Sequence, residues 1–177
     1  SWGGVIPYII LGIILIAVCF CILYHANWIF VGSMPGDDYQ LLMTTASGKM
    51  SHGATWSSRF WPLGLSDYSI LLLFGQYGCT AVAHYIWNGL ILIFSSVFMF
   101  NFVKQTTNNS LFALIALMLL FSSAGFTQIH MECIYAERMI FCSLCIFMYA
   151  CNKAKKTENY FLYVPAFVFA TYTTYMK

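Results

Sequence analysis

The sequence predicts an all-α protein: a polytopic bundle of about five membrane-spanning helices, with juxtamembrane interfacial helices in its first outer loop. Three observations predict it. Hydrophobic residues make up 60% of the chain and charged residues only 8%, against about a quarter charged in ordinary soluble domains. The mean hydropathy is +0.75, so lipid is the solvent for much of the surface. The apolar runs are long and continuous rather than alternating, which favours helices over a barrel as the way to satisfy the backbone in lipid.

The first run extends from about Val5 to Phe30, which as a helix reaches roughly 39 Å, enough to cross a bilayer with tilt. It lacks a basic leader and is too long for the apolar region of a signal peptide. The second runs from about Cys79 to Val103. The third, about Ser110 to Phe126, follows the polar stretch Lys104 to Asn109. The fourth is about Ile134 to Cys151 and the fifth about Tyr160 to Met176. Tyr68 to Phe74 is apolar but too short to span, and reads as an interfacial or re-entrant helix. The chain opens without Met and stops at Lys177 just after an apolar run. It therefore reads as a single transmembrane module, residues 1–177, at the N-terminal part of something longer.

Lys104 lies between the second and third spans, and Lys153, Lys155 and Lys156 between the fourth and fifth. Under the positive-inside rule these loops are cytoplasmic, as is the N-terminus. Residues 31–78 and about 127–133 then face outward, with Asp37, Asp38, Asp67, Glu132 and Glu137 on that side together with Lys49, Arg59 and Arg138. The lysine bias is modest. The expected location is a bacterial cytoplasmic membrane.

The outer loop 31–78 exceeds the length at which loops are usually functional or disordered, and its aromatic content excludes the second. Trp56, Phe60, Trp61 and Tyr68 suit the headgroup level, and residues 53–75 are expected to lie along the membrane as short helices. The loop contains Gly36-Asp37-Asp38-Tyr39. The acids read either as the start of a helix or as a carboxylate pair in which one member, its pKa raised by the other, acts as general base. The two readings are compatible. Arg59 is either a snorkelling anchor or a phosphate ligand. Around the mouth of the fourth span lie His130, Glu132, Tyr135, Glu137 and Arg138. Ionisable groups entering a span are functional candidates. Arg138 and Glu137 read first as ion-pair and packing residues, and Glu132 leans to function.

His84 and Asn88, four apart, form an interhelical hydrogen-bonding stripe rather than a metal site. Cys142 and Cys145 form a C-x-x-C inside an apolar run, where helix packing outweighs redox chemistry. No motif supports zinc or nucleotide binding, and the net charge of +2 with no large basic cluster gives no reason to invoke nucleic acid.

The first span, Gly36-Asp37-Asp38-Tyr39, Arg59-Phe60-Trp61-Pro62-Leu63 and the second outer stretch with Glu132 and Tyr135-Ala136-Glu137-Arg138 together resemble the start of bacterial GT-C superfamily glycosyltransferases. They are most similar to the membrane glucosyltransferases of polysaccharide and O-antigen modification. The resemblance implies a polyprenyl-phosphate-linked sugar as donor, a cell-surface glycan or lipid as acceptor, and membrane lipid as surroundings. It implies Asp37, Asp38 and Glu132 as catalytic acids, and Arg59, Arg138, Tyr39, Tyr135 and His130 as the substrate-binding set; no cofactor is expected, and a requirement for a divalent metal is left open. These enzymes have more spans than five. The competing classes are a transporter or flippase-like protein, which would place its ionisable groups at mid-membrane, and a non-catalytic subunit of a membrane complex.

Overall fold

The computed structural model describes residues 5–25, 36–48, 65–131, 133 and 135–175, with the side chains of 22–25 and 36–38 excepted. Among the described residues the protein is all-helical. Helix α1 is Ile6–His25, α2 Gly36–Ala46, α3 Ala81–Thr107, α4 Ser110–Phe121, α5 Ala124–Met131, α6 Glu137–Thr157 and α7 Tyr163–Tyr175. A 3-10 helix, Ser66–Tyr77, precedes α3, and a 3-10 turn, Tyr160–Leu162, precedes α7.

Local chemistry sets most of these boundaries. The Thr80 hydroxyl accepts from Ala83 N at 3.2 Å and starts α3. Asn108 at φ 54 ends it, and the next residue, Asn109, accepts from Leu111 N and Phe112 N to start α4. Each such cap is worth about 1 kcal/mol. Glu158 at φ 52 closes α6, and the Asn159 side chain accepts from Phe161 N. At Gly78 the chain passes so close to the 3-10 helix that any Cβ would collide with the Leu71 carbonyl oxygen.

Contacts between the long helices fix their directions. Tyr8 near the start of α1 meets Asn101 and Phe100 near the end of α3, so these two are antiparallel. The short turn at Asn108–Asn109 sends α4 back along α3, and both pack on Leu11 and Leu15 of α1. Helix α6 runs parallel to α3, because Met139 and Cys142 pack on Ile91 while Asn152 reaches Gln105. Helix α7 returns along α6 until Tyr172 meets Ser66. Five rods thus run alternately up and down between two ends. One end holds α2, the 3-10 helix Ser66–Tyr77 and the α5–α6 turn. The other holds Lys104, Lys153, Lys155 and Lys156.

Outward-facing positions along the rods are large and apolar, as at Ile13 and Ile16 of α1, Ile86 and Phe94 of α3, Ile115 and Leu119 of α4, and Phe167 of α7. Polar side chains such as His84, Asn88, Ser95, Ser96 and Ser143 are buried between helices. A soluble helical protein distributes these classes the other way.

The rods follow the expected spans with differences. Among the described helices, α3 alone is long and apolar enough to cross a membrane by itself. The expected third span breaks: α4 and α5 are bent by 69° and reach that standard only as a pair. Ser122 and Ser123 sit at the bend, and the Thr127 hydroxyl donates to the exposed Phe121 carbonyl at 3.1 Å. Helix α6 begins later and ends later than expected; Glu137 and Arg138 fall in its first turn and the later end adds three lysines, which together dilute its apolar character. Helix α1 is apolar over the shorter stretch Ile6–Cys21. The expected interfacial segment 53–75 is described from residue 65 onward. There it is a 3-10 helix that buries Tyr68 and Leu71 and leaves Leu73 and Phe74 exposed.

Candidate functional site

The chemistry-bearing side chains gather at the end formed by α2, the 3-10 helix and the α5–α6 turn. Their centre is a buried ion pair. Arg138 Nη2 donates to Asp67 Oδ2 at 3.0 Å, with the two side chains 0% and 3% exposed. Arg138 belongs to the first turn of α6 and Asp67 to the first turn of the 3-10 helix. The Trp87 indole N–H of α3 donates to the same Asp67 oxygen at 2.7 Å. One carboxylate thus ties three elements together.

Tyr68 extends this centre. Its ring lies beneath the guanidinium of Arg138, 4.4 Å from ring centroid to Cζ, and stacks on His84 at 5.0 Å. Its hydroxyl donates to the Cys133 carbonyl at 3.1 Å. Burial pushes the Tyr68 phenol well above its usual range, with the Arg138 charge opposing the shift, so at neutral pH it stays protonated. The Nδ1–H of His84 donates to Thr80 O at 2.9 Å, and its Nε2 lies 3.2 Å from the Thr45 hydroxyl of α2, within hydrogen-bond distance. Asn88 Nδ2 donates to the His130 carbonyl at 2.8 Å. The His84–Asn88 stripe is therefore interhelical, as its spacing predicts.

The network is incompletely satisfied. Among the described residues, Asp67 Oδ1, Asn88 Oδ1, His130 Nε2, and Nε and Nη1 of Arg138 are buried without a hydrogen-bond partner. Unpaired buried polar atoms each cost on the order of 1–3 kcal/mol, so such a concentration marks a place where water or a ligand completes the structure. Beside it, a groove of about 440 Å³ opens between α2 and the 3-10 helix, lined by Thr45, Gly48, Leu72, Gly75, Gln76 and Cys79.

The sequence candidates distribute as follows. The backbones of Asp37 and Asp38 occupy the first turn of α2, inside the helix rather than before it. Leu41 and Thr45 turn that helix onto the cluster that contains Cys133 and Ala136. The segments bearing the acid pair and the second outer stretch thus meet. The side chains of Asp37 and Asp38, and Arg59 and Glu132 entirely, lie outside the described residues, as does Lys49. Tyr39 is exposed. The Tyr135 hydroxyl lies 3.3 Å from Gln128 Nε2, which donates to it. His130 is buried, with its Nδ1–H donating to Phe126 O at 2.9 Å. Arg138 is paired with Asp67, seventy-one positions away, and among the described residues not with Glu137 beside it. Glu137 is half-buried at the start of α6, where a carboxylate favours the helix end.

Asp67 is the residue that sequence reasoning missed, having been noted only as one outward-facing acid. The available signal was its place at the head of the Tyr68–Phe74 apolar run, where an acid needs a partner. Among the described residues no group of three His, Cys, Asp or Glu side chains is placed to hold a metal ion. No protein-family model, curated protein or solved structure matches the chain, so the site is read from its own geometry.

Proposed function

We propose that the chain is a module of a membrane glycosyltransferase that moves a sugar from a polyprenyl-phosphate donor to a glycan or lipid acceptor at the outer face of a bacterial cytoplasmic membrane. The observation that carries this reading is a convergence. Helix α2, whose first turn holds Asp37 and Asp38, the 3-10 helix with Asp67, and the 130–138 segment all lie at one end of the bundle, while the lysines of α3 and α6 occupy the other.

The five alternating rods are read as five spans. Their apolar outward faces suit lipid, and the lysine-rich end is read as cytoplasmic. A lipid-linked donor keeps its phosphate at the headgroups and its tail among apolar helix faces. The acceptor hydroxyl must then be deprotonated just outside a span, the position of Asp37 and Asp38, with Glu132 assisting. Transfer passes through an oxocarbenium-like state, whose departing phosphate needs a cation. Arg59 is one candidate. Arg138 is the other, held in orientation by Asp67 while two of its nitrogens have no partner among the described residues. Tyr39, Tyr135 and His130 are proposed as sugar and acceptor contacts.

The direct test uses the full-length protein in vesicles supplied with a panel of polyprenyl-phosphate hexoses. Release of polyprenyl phosphate with appearance of a glycosylated product is expected. Failure across the panel, with the protein folded and inserted, ends the transferase reading. A separate labelling experiment checks sidedness. With native cysteines removed, cysteine at position 155 should react only from the cytoplasmic side and cysteine at position 49 only from outside. The reverse pattern would move the acid pair to the cytoplasm.

A second reading, as a transporter, draws on the buried Asp67–Arg138 pair, because intramembrane ion pairs mark substrate and ion pathways. Substrate flux across vesicles without any chemical change would favour it.

A further inference from the structure

We propose that the lysine-bearing end of the bundle binds the phosphate headgroup of an anionic phospholipid; this rests on the membrane part of the reading above and is independent of glycosyl transfer. Three helices build the site. Lys104, in the last turn of α3, is half-buried, with its ammonium 3.2 Å from the Tyr8 hydroxyl of α1, to which it donates, and 4.5 Å from the centre of the same ring. Lys156 of α6 reaches across to the Gln105 carbonyl, and Asn152 Nδ2 donates to Gln105 Oε1 at 3.3 Å. Lys153 lies over the Tyr149 ring at 5.5 Å, and Lys155 is exposed on the same helix. The ammonium groups of Lys104, Lys153 and Lys156 are thus held by rings and oxygens of α1, α3 and α6.

Their charge is not answered within the described residues. No carboxylate there pairs with any of these lysines; the ion pair that does form is Asp67–Arg138, at the opposite end. Glu158, the acid adjacent in sequence, is exposed at the end of α6. The last-turn lysines Lys155 and Lys156 favour the negative end of their own helix, but that role does not extend to Lys104 on α3, nor does it need Tyr8. A helix dipole also carries only about half a charge, against four ammonium groups.

The surroundings choose a lipid over a free anion. The first turns of α1 and α4 lie at this end and turn Ile6, Ile9, Leu111 and Phe112 outward. A phosphate held by Lys104 and Lys156 would have its acyl chains against those walls. Tyr8 and Tyr149 supply the aromatic rings that favour headgroup depth.

The test is thermal unfolding of the purified full chain in mild detergent, titrated separately with dioctanoyl phosphatidylglycerol, dioctanoyl phosphatidylcholine and inorganic phosphate. Phosphatidylglycerol should raise the unfolding temperature saturably, and the other two should not. Removing lysines should weaken the titration midpoint about fivefold each, so Lys104→Gln with Lys156→Gln should shift it about 25-fold. Tyr8→Phe keeps every charge and the ring but removes the hydroxyl that positions Lys104, and should shift the midpoint about two- to tenfold. This variant carries the test if the double variant does not fold. An unchanged midpoint in Tyr8→Phe and in whichever lysine variants fold would overturn the proposal. So would an equal response to phosphatidylcholine or to inorganic phosphate. None of these outcomes depends on sugar transfer, whose failure would be read in the vesicle assay alone.

Discussion

Arg138→Met should destabilise the fold by about 3–5 kcal/mol, and Asp67→Leu by a similar amount, whereas the two together should cost much less than their sum. The reason is an asymmetry of buried charge. Two paired charges in a dry interior roughly cancel their desolvation through attraction, but one left alone does not. Each partner here is almost wholly buried, so neither can turn to water when the other is removed. Asp67→Leu also strips the Trp87 indole of its acceptor, and Arg138→Met leaves the Tyr68 ring without its cation. The double variant still loses the Trp87 bond but contains no orphaned charge. Reversible unfolding in mixed micelles would measure all three. Strict additivity of the single effects would show that the pair is solvated, and the ion pair would then be no anchor for α6.

The second large effect concerns transfer. If the acid pair supplies the general base, Asp37→Asn or Asp38→Asn should lower the rate by about 10²–10⁴-fold, the usual contribution of such a group, with insertion and stability intact. Glu137→Gln should do less, because its place in the first turn of α6 suits the helix end. The contrast separates two uses of a carboxylate. A residue that only favours a helix end contributes about 0.3–1 kcal/mol at most exposed sites, too little to abolish a reaction. Near-normal transfer in both Asp variants would reduce the pair to a helix start. Asp67 would not replace it as base, since one of its oxygens already accepts from both Arg138 and Trp87.

Much of this architecture is legible in the sequence because it follows from composition and short-range signals. The apolar runs give the rods, and Asn108-Asn109 and Glu158-Asn159 mark their ends. The spacing of His84 and Asn88 gives the polar stripe. What the sequence hides is pairing over distance. The break at Ser122–Ser123 lies inside a stretch read as one continuous span, and the geometry of Thr127 with the freed Phe121 carbonyl reveals it. Arg138 invites pairing with Glu132 or Glu137 beside it. Its actual partner stands on a different element, brought near by the folding of α3, α4 and α5 between them. The meeting of α2 with the 130–138 segment is legible only as a requirement of the chemistry. The presence of Leu41, Cys133 and Ala136 in one hydrophobic cluster places the two segments at the same end of the bundle.

The parallel course of α3 and α6 has a consequence for how the protein is made. Neighbouring parallel helices cannot close as a hairpin; the intervening α4 and α5 must be synthesised first. Asp67 emerges seventy-one residues before Arg138, an interval of about 4–14 s at ordinary ribosomal speeds. Throughout it the nascent chain carries an acid without its cation, and an α3 whose Asn88 lacks the His130 carbonyl it will later hold. On the membrane reading proposed above, the first half would insert with its polar stripe uncovered. The arrival of α6 is the step that converts a loose set of helices into a locked one.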